Sequence, residues 1–221
     1  VDAEGRASVY CVTLFNDDYD VGYLCATTND HYCRQHAYGF VAVVLPRKAM
    51  EKVCAGRHFA WAKVALLEWL FKGVTAGGTA DEVFASAISA ETRDAIRAAR
   101  WVVWLDADLM VIRHATPLTD LLDHHPQDLV LGEDMADLDW VNTGLVACRT
   151  ESTFCQRLWS DVWILADHTF HQGEFWDQSA LCHVLSKQGE FNPTVIGGKR
   201  TTAPTPKDPW FSWCGGKKCR E

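Results

Sequence analysis

The sequence has no long apolar segment and no concentrated positive charge. None of its apolar stretches reaches the roughly 18 residues that a membrane-spanning helix requires. Its 21 lysines and arginines are outnumbered by 29 aspartates and glutamates, and no basic run exceeds two residues. Because a nucleic-acid-binding surface needs clustered positive charge to neutralise phosphates, we expect no nucleic-acid partner.

Three common signatures of phosphate binding and catalysis are also missing. The chain contains no G-x-x-x-x-G-K-[ST] loop, no G-x-G-x-x-G between a strand and a helix, and no G-x-S-x-G turn. These absences argue against a P-loop nucleotide hydrolase, a dinucleotide-binding enzyme and a hydrolase with a serine nucleophile on a tight turn.

Cysteine, by contrast, is abundant, with nine residues. None of them shows the paired C-x-x-C spacing of a structural zinc site. We therefore predict several disulfide bonds formed in a secretory compartment, in preference to reduced buried thiols. The odd number leaves at least one cysteine without an intrachain partner.

The chain opens at Val1 with a polar segment and no signal-peptide pattern. We interpret it as a mature or trimmed fragment, with any membrane anchor lying upstream of the sequence. On this interpretation a membrane is a partner only through that anchor.

Apolar strand-like runs alternate with segments of helical spacing along the chain. This alternation predicts one α/β domain over residues 1–221, with a central, mostly parallel sheet flanked by helices. The tail from residue 192, rich in glycine, proline, lysine and threonine, is predicted to be loop. Strands are predicted at 8–15, 40–45, 101–105, 128–131 and 142–148. Helices are predicted at 20–38, 61–71, 151–166 and 175–188, with one or two more over 80–100.

An Asp-x-Asp tripeptide occurs three times, at 18–20, 106–108 and 137–139. Only Asp106 and Asp108 directly follow a continuous apolar run, 101–105, of the kind buried on both faces of a sheet. Carboxylates at the carboxyl end of such a strand lie where open α/β sheets bind ligands. Two of them can hold a divalent cation, whereas burying them without one is costly. The other two tripeptides are predicted to be solvated loops.

A phosphatase of the haloacid dehalogenase class also places Asp-x-Asp after an apolar strand. In that class the first aspartate is the nucleophile and the strand usually opens the domain. Here two predicted strands precede the motif, and residue 110 is Met110 rather than threonine or valine. The phosphatase is therefore the less favoured alternative.

Five separated segments together resemble glycosyltransferase family 34, which includes plant xyloglucan xylosyltransferases and fungal α-galactosyl- and mannosyltransferases. Ala37 stands where the first segment of that family usually has glycine. In chain order the segments are HYCRQHAY at 31–38, FAWAK at 59–63, WLDAD at 104–108, DWVNTG at 139–144 and DQSAL at 177–181.

The resemblance implies a GT-A-type fold and a metal-dependent retaining transfer of a sugar from a UDP- or GDP-sugar to a glycan or glycoconjugate. It also implies a Golgi or other secretory-lumen location, with a type II membrane anchor in the full-length protein. The implied site residues are Asp106 and Asp108 for Mn²⁺ or Mg²⁺, Lys63 and Lys217 for the diphosphate, Asn142, Gly144 and Gly215 for the donor, and Asp177 and Gln178 for the reacting sugar.

Each of these residues also has a simpler interpretation. Asp177 begins a predicted helix, where an acidic side chain favours the helix dipole. Lys63 lies on a mostly apolar helix, where a lysine can extend its amine to solvent. In the catalytic interpretation Asp177 is the nucleophile, or stabilises an oxocarbenium-like centre, as carboxylates do in retaining glycosidases.

The tail departs from the family pattern. The resemblance aligns Gly215, Lys217 and Cys219 with its last segment, but Ser212 stands where a metal-binding histidine is expected. A serine hydroxyl is a much poorer ligand for a divalent metal than imidazole. A non-catalytic nucleotide- or sugar-binding relative is therefore the second hypothesis.

Overall fold

The computed structural model describes residues 7–133, 141–164, 169–172, 175–187, 195–196, 199–200 and 211–213. The strands of this part are β1 (Val9–Asn16), β2 (Gly39–Leu45), β3 (Trp101–Leu105), β4 (Leu129–Glu133), β5 (Val141–Arg149), β6 (Val195–Ile196), β7 (Lys199–Arg200) and β8 (Phe211–Trp213). The helices are α1 (Asp20–Gln35), α2 (Arg47–Cys54), α3 (Ala62–Lys72), α4 (Asp81–Ala87), α5 (Ala90–Ala98), α6 (Leu118–Leu122), α7 (Thr153–Trp163), α8 (Thr169–Gln172) and α9 (Trp176–Lys187), with a 3-10 turn at Phe59–Trp61 before α3.

A six-stranded mixed sheet, in the order β2-β1-β3-β5-β4-β8, forms the centre of the molecule. The pairings β1 with β2, β1 with β3 and β4 with β8 are parallel. The strand β5 runs antiparallel to both of its neighbours, β3 and β4. The prediction of an α/β fold with a mostly parallel central sheet is therefore confirmed.

Helices cover both faces of the sheet. Alternate side chains of β3 point to opposite faces, and because all of them are apolar, both faces need to be covered. Val102 and Trp104 belong to a core cluster that includes α3 and α7, whereas Trp101 and Val103 face a second cluster beneath α1. All five residues of β3 are buried, as the continuous apolar run predicts. After this strand, Asp106 is the first residue that is partly exposed to solvent.

The segment 80–100, predicted to hold one or two helices, forms two, because the chain is extended at Ser89, whose side chain accepts the Thr92 N–H and caps α5. Two other segments differ from the sequence prediction. The short helix α2 was not predicted. The tail is not all loop: the three-residue strand β8 pairs with β4, a non-local pairing that so short a run does not reveal.

The prediction of several disulfide bonds is wrong for six described cysteines, which are free and buried: Cys11, Cys25, Cys33, Cys54, Cys148 and Cys155. Cys182 is also buried. Cys214 and Cys219 lie outside the described residues. The cysteines that the sequence suggested as crosslinks act here as small apolar core residues. The number of cysteines therefore gives no support for a secretory compartment where these six are concerned.

None of the helices in the described part of the chain is long and apolar enough to cross a membrane. The apolar helix α3 is buried instead in the protein core, with nine of its residues inaccessible to solvent.

Candidate functional site

A cavity of about 490 Å³ opens at the edge of the sheet where β1 and β3 end. The carboxyl ends of parallel strands meet at this edge, which is where open α/β sheets bind ligands. The segments after β1 and β3 form its floor, the start of α3 and β5 form one wall, and the start of α9 forms another. Its polar lining includes Lys63, Asp106, Asp108, Asp177 and Gln178.

Lys63 lies in the first turn of α3 and is buried, yet it remains charged because two carboxylates surround it. Its Nζ is 2.9 Å from Asp106 Oδ1 and 3.0 Å from Asp177 Oδ2. Burial alone would lower the pKa of Lys63, but the charges of Asp177 and Asp106 outweigh burial and raise it. Lys63 thus links Asp106 of one motif to Asp177 of the other. Its amine does not extend to solvent, which excludes the simpler interpretation of this lysine.

Asp177 is buried in the first turn of α9. Burial raises the pKa of its carboxyl group, and the positive charge of Lys63 opposes that rise. A carboxylate at a helix start would be expected to face solvent if it served only the helix dipole. Its burial against a lysine instead makes Asp177 a candidate for chemistry, since such pKa shifts cluster at functional sites.

A bulge in β5 frees the residue between these charged groups from the sheet. Leu131 of β4 pairs with Val146, but the next residue, Gly132, pairs with Asn142, so residues 143–145 have no partner on β4. The backbone of Thr143 therefore bonds to side chains: its N–H donates to Gln178 Oε1 at 3.2 Å, and its carbonyl accepts from Lys63 Nζ at 2.8 Å. Bulges next to active sites commonly redirect a side chain in this way.

The hydroxyl of Thr143 lies in the same network. It accepts from Lys63 Nζ at 3.0 Å and donates to Asp177 Oδ2 at 3.1 Å. These directions follow from chemistry, because an ammonium group can only donate and an ionised carboxylate can only accept.

Asp106 and Asp108 present carboxylate oxygens of the kind that Mn²⁺ and Mg²⁺ prefer. Asp106 Oδ1 is occupied by Lys63 and by the indole N–H of Trp104, 2.6 Å away. Asp106 Oδ2 faces Gly144, where a β-carbon would lie 3.5 Å from this oxygen. The two residues thus fit a divalent cation, although no cluster of three acidic, histidine or cysteine ligands occurs among the described residues.

Aromatic rings form the wall of the cavity beside Asp177. The rings of His58 and Trp176 stack with centroids 3.8 Å apart and planes 6° from parallel. Phe175 and Trp176 both have positive φ, +58° and +37°, which is rare for bulky residues and often marks functional sites. At the other end of the cavity Tyr19 donates its hydroxyl to Asp108 Oδ2 over 3.4 Å.

The structure therefore brings Lys63, Asp106, Asp108, Asp177 and Gln178 to one cavity. Two further predicted residues support the site without lining it. Asn142 Oδ1 accepts the Gly144 N–H at 2.7 Å, and the Gly144 carbonyl accepts the Asp106 N–H at 2.8 Å.

Gly215 and Lys217 lie outside the described residues. Ser212 lies in β8, beside Val130 of β4 in the sheet register.

Sequence reasoning missed Thr143, His58 and Tyr19. Thr143 stands between two predicted residues, Asn142 and Gly144. It belongs to the same segment, 139–144, and this position in that segment was the signal that could have identified it. Tyr19 lies in an Asp-x-Asp tripeptide predicted to be a solvated loop. Its flanking aspartates are indeed exposed, but its hydroxyl reaches the site.

Comparisons with solved structures place this fold among glycosyltransferases. A glycosyltransferase involved in the glycosylation of the major capsid of PBCV-1 aligns over 92% of this chain and 81% of its own, with a TM-score of 0.51 and 14% identity. The glycosyltransferase GlyE of Streptococcus pneumoniae TIGR4 aligns over 83% of this chain and 44% of its own, with a TM-score of 0.51 and 15% identity. The chain thus has the GT-A-like α/β fold of these enzymes.

Neither a protein-family model nor a curated protein sequence matches this chain. The structural neighbours bear on the glycosyltransferase fold in general, so membership of family 34 stays a prediction.

Proposed function

We propose that this chain is a metal-dependent retaining glycosyltransferase that moves a sugar from a UDP- or GDP-sugar to a glycan or glycoconjugate. The observation that carries the proposal is the buried Lys63, which pairs with Asp106 of one motif and Asp177 of the other inside the cavity. Two carboxylates and a lysine converging in this way, in a glycosyltransferase fold, suit a nucleotide-sugar site better than a structural ion pair does.

The charge of the cavity supports a requirement for a cation. Among the described residues that line it, Lys63 is the only lysine or arginine, and two carboxylates already engage it. A nucleotide diphosphate carries negative charge into this acidic cavity. Asp106 and Asp108 would hold Mn²⁺ or Mg²⁺, and a bound divalent cation neutralises the charge that develops on a departing diphosphate.

The protein's own groups have separate roles in this proposal. Trp104 and Lys63 hold Asp106 Oδ1 and so orient the carboxylate whose other oxygen faces Gly144. Asp177 serves as the nucleophile, or stabilises the oxocarbenium-like centre, in a site that shields it from water. Gln178, next to it in the first turn of α9, orients the reacting sugar. Burial raises the pKa of Asp177, and Lys63 opposes this by favouring the ionised carboxylate.

A panel of UDP- and GDP-sugars, incubated with and without Mn²⁺, tests the proposal by measuring donor hydrolysis and transfer to oligosaccharide acceptors. We expect at least one donor to be turned over only when Mn²⁺ is present. Asp108→Asn should lower that rate about 100-fold, because it weakens one of the two carboxylate ligands. Asp108 suits this test because it is exposed and its described hydrogen bond is the weak one from Tyr19.

Asp94→Asn is the charge-matched control, since Asp94 lies on the exposed face of α5 outside the cavity. It should leave turnover unchanged. Nucleotide binding without turnover of any donor would instead support the non-catalytic relative suggested by Ser212. Phosphatase activity that survives Asp108→Asn and needs no sugar would support the haloacid dehalogenase alternative.

A further inference from the structure

We infer that Thr143 is the positioning residue of the site, holding the Asp177 carboxylate and the Gln178 amide in the orientation that sugar transfer needs. The inference rests on the proposed function and adds to it a residue that the acidic motifs do not contain. It is drawn from the hydrogen bonds of Thr143 and from the bulge that releases its backbone.

Every polar group of Thr143 is directed at a charged or polar residue of the site. The hydroxyl proton goes to Asp177 Oδ2 and the hydroxyl oxygen accepts from Lys63. The backbone carbonyl also accepts from Lys63, and the backbone N–H donates to Gln178 Oε1. If Thr143 had only a structural role in the strand, its backbone N–H and carbonyl would be hydrogen-bonded to a neighbouring strand.

The bonds define which atoms of the two candidate catalytic residues face Thr143 and Lys63. Both Lys63 and Thr143 donate to Asp177 Oδ2, so Oδ1 is the oxygen that these two donors leave unengaged. The Thr143 N–H requires an oxygen opposite it, which assigns Oε1 of Gln178 to that contact. A single residue therefore sets the orientation of both side chains.

The position is also rigid. Thr143 is 4% exposed, Asp177 is 4% exposed and Gln178 is 7% exposed, so water does not compete for these bonds. Buried, hydrogen-bonded polar networks hold their members in one arrangement. Misplacing a reacting group by about 1 Å can cost 100-fold in rate, so a residue that prevents this displacement matters to kcat.

Thr143→Val isolates the hydroxyl, because valine keeps the branched shape and both backbone bonds but cannot bond to Asp177. We expect this variant to lower kcat for donor hydrolysis about tenfold or more, while the donor KM changes less than about threefold. Thr143→Ser restores the hydroxyl and should stay within about threefold of the wild-type kcat. A role in packing alone predicts the reverse order, since serine loses the methyl group and valine does not.

Thr13→Val is the matched control. Thr13 is a buried threonine of β1, and its hydroxyl has no hydrogen-bond partner in the part of the chain that the structure describes. Removing it should leave kcat and KM unchanged. Wild-type kcat in Thr143→Val, or a loss in Thr143→Ser as large as in Thr143→Val, would overturn the inference.

A double-mutant cycle keeps the inference testable if the wild-type protein turns over no donor. Urea unfolding of Thr143→Val, Asp177→Ala and the double variant measures whether the two side chains act on each other. We expect the effects on the unfolding equilibrium constant to deviate from additivity by about threefold or more. Additive effects of the two substitutions would overturn the positioning role. Coupling between them in a protein that turns over no donor would contradict only the proposed function.

Discussion

Lys63 is paired with two carboxylates although the helix around it is almost wholly apolar. Its neighbours Val64 and Leu66 belong to the main core cluster, so the lysine enters the site from within the hydrophobic core. An ammonium group at such a position is tolerable only with partners, because an unpaired buried charge costs several kcal/mol. The stability of this part of the molecule therefore depends on the charges of the site.

Lys63→Met should destabilise the protein by about 3–5 kcal/mol at pH 8, because it leaves Asp177 as an uncompensated buried carboxylate. The destabilisation caused by the substitution should become smaller as the pH is lowered toward 5. Burial already raises the pKa of Asp177 and Lys63 opposes that rise, so removing Lys63 raises the pKa further. The carboxyl of the variant then protonates as the pH falls, whereas ionising it as the pH rises costs stability.

Urea unfolding of both proteins at pH 5 and pH 8 measures this difference. Lys52→Met is the control: Lys52 pairs with Glu82 on the surface, where such pairs contribute roughly 0–1 kcal/mol. The double variant Lys63→Met with Asp177→Asn should recover much of the stability at pH 8. A destabilisation that is equal at the two pH values would show that the lysine acts through packing rather than charge.

The end of α1 is an element in which one residue departs from the conformation its type prefers. Tyr38 N–H donates to the Cys33 carbonyl at 2.8 Å and Ala37 N–H to the Arg34 carbonyl at 3.2 Å. These two bonds form a Schellman motif, whose left-handed position is usually glycine. Ala37 occupies it with φ +55°. The family that the sequence resembles usually has glycine here, so the structure gives a physical reason for that preference.

Ala37→Gly should therefore stabilise the protein by about 0.5–1 kcal/mol, because glycine adopts the left-handed conformation without the clash of a β-carbon. Thermal or urea unfolding checks the sign. Ala95→Gly is the matched control: Ala95 is exposed in the interior of α5, where glycine should cost about 1 kcal/mol. Destabilisation by both substitutions would show that the left-handed geometry at residue 37 is not strained.

At the scale of the whole molecule, the two core clusters contain thiols that the sequence suggested as crosslinks. Cys11 contacts Cys33 between β1 and α1, and Cys148 contacts Cys155 between β5 and α7. In the first pair, hydrogen bonding to Cys33 together with burial raises the pKa of Cys11 well above its ordinary value. Burial, together with hydrogen bonding to Cys155, likewise raises the pKa of Cys148 well above its ordinary value. Burial also raises the pKa of Cys54 to about 12.

Because all seven described cysteines are buried, none should react with iodoacetamide in the native protein at neutral pH. The six free ones, Cys182 apart, should become alkylated after unfolding in urea without a reductant. Mass spectrometry of the two samples locates the labels. Labelling of Cys11 or Cys148 in the native state would contradict the buried core, and protection of these pairs after unfolding would show that they are disulfides.

Local sequence patterns predicted the elements that depend on local chemistry. The five-residue run before Asp106 marked β3 because a strand buried on both faces cannot carry polar residues. The same run singled out Asp106 and Asp108 among three similar tripeptides. The order of five short segments indicated Lys63, Asp177 and Gln178, although they are far apart along the chain.

Only the tertiary structure decided how these residues meet. Thr143 acts through a bulge that depends on the register between β4 and β5, and register is a property of two strands rather than of one. Cysteine pairing depends on distances that spacing along the chain does not encode, so the disulfide prediction failed where the pattern of apolar burial succeeded. The sequence by itself determined the longer strands, most of the helices and the acidic motifs, because period and composition are local. The structure decided that one buried lysine joins the motifs, because contacts between distant segments form only when the sheet assembles.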